Sequence, residues 1–331
     1  MTRPTMLRRE FLGIAGAALA ASSFSKAGRA QAAAAPINFG FQETSWGTIG
    51  MIAESEDLFK KVGANVNVLK FDSGKTTRDA MIAGRVDVGV IGATPFVIGA
   101  AKGQMEAIAV ALYGAKTLSI IASTKGGINS VKDLKGKKVA SQLGSATDYV
   151  FQNKILPKFD LSKSDVQVIN VTFQNQLPAL AAGSVDAFAG VEPFPSLAEV
   201  EKVGKVLVDY SDFDLQPVIL AANKSAIDGK RDAVVALLRG WLAGVQIFNG
   251  DRAKATQIVL KYYKKQGYSV DEKVINLMLS KIDVDPKFRP DLKTYLDAES
   301  QVLLGQHKIS AAPDWSKLLN QSLLDAASTK A

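Results

Sequence analysis

One pattern occurs twice in this chain. Ala83-Gly84-Arg85-Val86-Asp87 leads to Gly92-Ala93-Thr94-Pro95-Phe96, and Ala182-Gly183-Ser184-Val185-Asp186 leads to Gly190-Val191-Glu192-Pro193-Phe194. The two copies differ by one residue between the Asp and the second Gly. Each reads as a helix end with a Gly stop, Val-Asp entering a buried strand, a tight Gly turn, and Pro opening the next helix. The same two-part pattern in the same order predicts two similar halves.

The rest of the chain supports an α/β reading. Short apolar runs fall at 37–41, 66–71, 86–91, 107–112, 118–123, 137–141, 166–170, 187–190, 206–209 and 218–222. Helix-like stretches lie between many of them, at 48–58, 77–83, 95–102, 147–158 and 174–182. This alternation predicts largely parallel sheets flanked by helices. After residue 222 the pattern turns helical. Val234, Leu237, Leu238, Trp241, Val245 and Phe248 recur at helical spacing, Asn249-Gly250 offers a stop, and two or three amphipathic helices are expected from there to about Ala326.

The first 32 residues read as a twin-arginine export signal. Arg8-Arg9 precede an uncharged run, 11–24, whose 14 residues are too few to span a bilayer as a helix. Lys26, Arg29 and an Ala30-Gln31-Ala32 cleavage pattern follow. That segment holds five basic residues and one acidic, hence four of the eight net positive charges. The remaining charge, near +4, is no signature of a nucleic-acid partner. No later stretch was expected to approach a membrane span, so the mature chain should be soluble. With no cysteine and His307 as the only histidine, thiolate and His-cluster metal sites and any Ser-His-Asp arrangement lose their support.

In open parallel sheets, ligands sit beyond the carboxyl ends of the strands, against helix N-termini. The loops so placed are 42–47, 72–76, 92–94, 113–114, 144–146 and 190–192, rich in small residues and hydroxyls. They suit a small polar ligand. Thr94 before Pro95 fits an N-cap or a ligand contact, and Ser145 is similar. Glu caps poorly, so Glu192 before Pro193 points to contact with an amine or other N–H donor, although the helix dipole also favours it. Trp46 either covers the core or stacks on ligand; Tyr113 and Lys75 carry weaker signals. Gly74-Lys75-Thr76 resembles the end of a phosphate-binding loop, but position 69 is Leu where that loop needs Gly.

Three runs, SGKTTRDAMIAGRVDVGVIGATP, INSVKDLKGKKVASQLGSATDY and LPALAAGSVDAFAGVEPF, together resemble the solute-binding subunits of ABC importers for nitrate, sulfonate and taurine. Binders of thiamine-pyrimidine precursors belong to the same family. The resemblance covers about residues 37 to 226. It implies a two-lobed periplasmic binding protein fold, type II-like, with two crossover strands and a helical C-terminal tail. One lobe would comprise 36–121 with 222–331, the other 122–221, with crossovers near 120–124 and 220–223. By the same motifs Trp46, Ser73, Thr76, Thr94, Tyr113, Ser145, Thr147 and Glu192 would line the ligand cleft. The implied protein is a periplasmic monomer without cofactor or metal, meeting the membrane only through a permease and its ATPase. An organosulfonate such as taurine is the first choice of ligand, and a pyrimidine precursor the alternative. The family also includes a pyrimidine synthase that uses pyridoxal phosphate and consumes its own histidine, but His307 lies outside the matching loops, so no enzyme is expected.

Overall fold

The computed structural model describes residues 35–329. The export signal expected over 1–32 therefore lies outside the described residues. Ten strands form: β1 Ile37–Gln42, β2 Val66–Phe71, β3 Val88–Gly92, β4 Met105–Tyr113, β5 Leu118–Ser123, β6 Lys138–Ser141, β7 Gln167–Asn170, β8 Ala187–Val191, β9 Gly204–Asp209 and β10 Pro217–Asn223. Each answers to one of the ten apolar runs.

The strands make two five-stranded sheets, β2-β1-β3-β10-β4 and β7-β6-β8-β5-β9. Taken position by position the two orders are the same, with β3 and β8, the strands of the repeated pattern, in the middle of each. Each sheet is completed by one strand from the other part of the chain's path. β10 returns between β3 and β4, and β5 lies between β8 and β9. Both run antiparallel to their neighbours, whereas β1–β2, β1–β3, β6–β7 and β6–β8 are parallel. The sheets are thus evenly mixed, not largely parallel. Apolar runs buried on both faces carry no sign of direction, which explains the miss.

The repeated Asp has one structural role in both copies. Asp87 Oδ2 accepts the Asn38 N–H at 2.8 Å at the start of β1, and Asp186 Oδ2 accepts the Lys138 N–H at 2.8 Å at the start of β6. The preceding Gly84 and Gly183 have φ of +70° and +73°, a left-handed turn that side-chain-bearing residues resist. The copies diverge after their strands. Helix Ala93–Ala100 starts at Ala93 with Gly92 as its cap, so Thr94 and Pro95 lie inside its first turn. Helix Phe194–Val200 is capped by Pro193, which follows a cis peptide bond from Glu192. Neither Pro is the first helical residue that the pattern suggested.

The chain crosses between sheets through Gly114–Thr117 and again through 210–216. Of the expected crossovers, 120–124 and 220–223, residues 120–123 and 220–223 instead lie within β5 and β10. The apolar runs continue unbroken into each sheet, so composition does not mark the crossing.

The tail holds more helices than expected. Beyond Gly250 come Arg252–Lys265, Glu272–Ser280, Pro290–Gly305, Trp315–Leu318 and Gln321–Ser328. One of them, Trp315–Leu318, is at four residues too short to show a period. Contrary to expectation, Arg231–Gly250 is long and apolar enough, by length and composition, to cross a membrane. Here it packs as a core helix. Val234, Leu237, Leu238, Trp241, Val245 and Phe248 are all buried, against Thr48–Ser55, Leu58–Lys61 and Gln321–Ser328. The tail also covers the open edge of β4, where Val110 N–H reaches Pro286 O (3.1 Å) and Asn320 N–H reaches Ala107 O (2.8 Å). An edge so covered offers no template for a foreign strand.

Candidate functional site

The loops at the carboxyl ends of β1, β3, β6 and β8 meet where the two sheets face each other. The Ser45 N–H donates to Glu192 O (2.8 Å), and the Glu192 N–H donates to Thr117 O (2.9 Å). Trp46 is buried, and its indole N–H donates to Thr117 Oγ1 at 3.1 Å. Gly92 closes the group. A Cβ built there would stand 2.8 Å from Ala146 Cβ and 2.9 Å from Trp46 Cζ3. Such tight approach between loops of both sheets describes a closed junction.

Two hydroxyls at this junction are conspicuous. Ser45 and Thr147 have no solvent exposure, and neither Ser45 Oγ nor Thr147 Oγ1 has a protein partner. A buried hydroxyl without a partner costs roughly 1–3 kcal/mol, so these atoms call for a polar partner. Gln42 Oε1 and Gln176 Oε1 are likewise unpartnered, while the Gln42 amide N–H groups are held by Thr77 Oγ1 (2.6 Å) and Val90 O (2.8 Å).

The remaining expected residues divide by role. Ser73 and Thr76 cap helix Gly74–Ile82 reciprocally, Thr76 N–H to Ser73 Oγ at 3.3 Å and Ser73 N–H to Thr76 Oγ1 at 3.2 Å. Ser145 caps the turn Ala146–Val150, accepting the Asp148 N–H at 3.1 Å. Thr94 caps nothing. It sits one residue into its helix and donates to Glu299 Oε1 at 2.6 Å, a partner from the tail helix Pro290–Gly305. Tyr113 ends β4, close to the crossing segment. It lines a cavity of about 570 Å³ with Lys116, Asp212, Asp214, Lys281 and Arg289. The Arg289 guanidinium lies 3.9 Å over its ring, and burial pushes its phenol up to about 12.

Glu192 is fully buried, but its carboxylate is already paired. Lys281 Nζ lies 2.5 Å from Oε1, and the Ser196 N–H donates to Oε2 at 3.2 Å. Burial raises the carboxyl above its ordinary value, and Lys281 followed by Ser196 pulls it back down. The cation that a poorly capping Glu called for thus comes from the chain itself.

Sequence reasoning missed Lys281 and Glu299. Glu299 is buried, shares Lys154 with Asp214, and has its carboxyl raised first by desolvation. Tyr295 completes that cluster by donating to Asp214 Oδ1 at 2.6 Å. Only a Lys ending a helix pattern marks Lys281 in the sequence, and a dipole effect explains that equally well. Among the described residues no group of three or more His, Asp or Glu stands placed to hold a metal ion.

Known proteins resemble this chain in fold and in part of its sequence. The alkanesulfonate-binding protein SsuA from Xanthomonas axonopodis pv. citri, bound to MOPS, superposes with a TM-score of 0.75 at 20% identity, over 86% of this chain and 98% of that one. A Bacillus subtilis (strain 168) protein described as an aliphatic sulfonates-binding protein is 34% identical over 186 residues, 56% of each chain. The taurine-binding periplasmic protein of Escherichia coli (strain K12) is 30% identical over 161 residues, 48% of each. The match therefore spans about half the length of each of these two relatives. The fold is the two-lobed α/β fold of periplasmic binding proteins, with a helical C-terminal region. The NMT1-like family matches residues 30–262, most of the sequence, and the chain belongs to that family.

Proposed function

We propose that this chain is the substrate-binding subunit of an ABC importer, exported to the periplasm by its Arg8-Arg9 leader. It captures a small organic anion, with an organosulfonate as first choice, and delivers it to a membrane permease and its ATPase. The observation that carries this reading is the closed junction of Trp46, Gly92 and Ala146, with the unpartnered hydroxyls of Ser45 and Thr147 buried beside it. Hydroxyl donors suit sulfonate oxygens. Trp46, Ser73, Thr76, Thr94, Ser145, Thr147 and Glu192 belong to the loops that form the cleft and its first helical turns. The lobes divide where the chain crosses between sheets.

The mechanism is lobe closure. A ligand that touches both lobes favours the closed state over the open one, and the permease reads the closed form. The names of the relatives support this reading. So does the position of His307, which is exposed beyond the end of helix Pro290–Gly305 and far in sequence from the cleft loops. On this reading the chain binds its ligand without turnover.

Thermal unfolding with a panel of alkyl- and arylsulfonates, carboxylates and pyrimidines tests the proposal. A ligand at about 100 times its Kd adds about 2.7 kcal/mol, which raises Tm by several degrees in a protein of this size. A panel without a shift defeats the reading, as does chemical conversion of the bound compound.

A further inference from the structure

Glu192 is fixed from both halves of the molecule by its backbone, through Ser45 on one side and Thr117 on the other. Its carboxylate has no exposure, and Lys281 is its charged partner. Lys281 ends helix Glu272–Ser280, is itself mostly buried, and also stands 3.4 Å from Ser196 Oγ. The helix C-terminus favours a cation at that position independently of Glu192. Tyr263, on helix Arg252–Lys265, is held neutral by burial, and its hydroxyl donates to Glu43 O at 3.1 Å. The Glu43 carboxylate instead accepts from Tyr262 at 2.8 Å.

We propose that Lys281 sets the charge of the ligand: by occupying Glu192 from within the chain, it makes the cleft accept an organic anion that carries no ammonium group. This rests on the cleft reading above and narrows it, from sulfonates in general to plain alkyl- or arylsulfonates. Two consequences of the pairing support it. A free Glu192 would repel an anion, and the pair removes that repulsion. A ligand ammonium would have to displace Lys281, leaving two cations to share one buried carboxylate.

The test is calorimetric titration with matched probes, ethanesulfonate against 2-aminoethanesulfonate and butanesulfonate against 4-aminobutanesulfonate. The wild-type chain is expected to favour the plain sulfonate by about tenfold or more. Lys281→Met frees Glu192 and reverses the order, and Lys281→Met with Glu192→Gln abolishes the reversal. Glu192→Gln alone, which keeps the side-chain shape, covers the case in which Lys281→Met does not fold. It leaves Lys281 without its carboxylate partner, and so widens the preference for the plain sulfonate. A wild-type preference for the aminosulfonate, or an unchanged or narrower preference in Glu192→Gln, overturns the proposal while leaving the importer reading in place. Binding of no sulfonate by the wild-type chain defeats the importer reading, and this inference with it.

Discussion

Replacing Gly92 by alanine should hold the cleft open. Gly92 has φ −69° and ψ 164°, an extended conformation that any residue adopts, so the new methyl group brings no backbone strain. Its difficulty is space. The Cβ would lie 2.8 Å from Ala146 Cβ and 2.9 Å from Trp46 Cζ3, where ordinary contact begins at 3.4 Å. Ala146 opens the helical turn beside the second sheet, so that contact is relieved when the two halves separate, whereas the Trp46 contact lies within the first half and persists. Overpacking of this kind costs about 1–3 kcal/mol. The Ala146 share, charged to the closed state alone, weakens ligand binding by up to about 150-fold. Titration calorimetry reads the loss directly, while urea unfolding without ligand reads the cost of the Trp46 contact, which both states carry. Adding Ala146→Gly removes one of the two clashes, so the double variant should recover part of the affinity, in a double-mutant cycle with a clear coupling term. Wild-type affinity in Gly92→Ala, or no recovery in the double variant, would refute the account of closure.

Other outcomes follow from the same geometry. Thr147→Val removes a buried, unpartnered hydroxyl, so it should stabilise the ligand-free chain by about 1 kcal/mol and weaken sulfonate binding; urea midpoints and titration check the two halves. Asp87→Ala should destabilise by about 1–3 kcal/mol, and by more than Asp186→Ala, because Asp87 holds both the Asn38 N–H and Lys230 Nζ (3.1 Å), whereas Asp186 holds a strand N–H alone. Burial keeps the folded Glu299 carboxyl above its ordinary 4.5, so its stabilising share is complete below that pH and fades as pH rises through the raised value. Glu299→Gln should flatten this decline in urea midpoints between pH 4 and 7, and equal slopes in the two chains would contradict it.

What the sequence reveals depends on how far apart the interacting residues lie. All ten strands are legible because each is a compact apolar run between turn residues. The repeat is legible because both halves need the same left-handed turn at Gly84 and Gly183 and the same clasp by Asp87 and Asp186, although the strand starts they hold lie 49 and 48 residues earlier. Strand direction is not legible, since Val218–Ala222 would look the same run either way. The site is legible only as a set of loops. Thr94 looked like a cap because Ser, Thr and Pro carry local rules, but its partner Glu299 is 205 residues away. The same distance hides the Glu192–Lys281 pair, 89 residues apart. Without that pair, a buried Glu reads as an invitation to an amine.

The interleaving of β10 into the first sheet has a consequence for how the chain matures. As the chain emerges from the ribosome, β9 completes the second sheet at residue 209, yet the first sheet still lacks its fourth strand until residue 223. The half that begins first therefore finishes last. Until then β3 and β4 each wait with an unpaired edge, which is the condition under which nascent chains associate wrongly. A chain stopped between residues 209 and 217 would hold one finished sheet and one gap, and its aggregation would be traceable to a single missing ribbon.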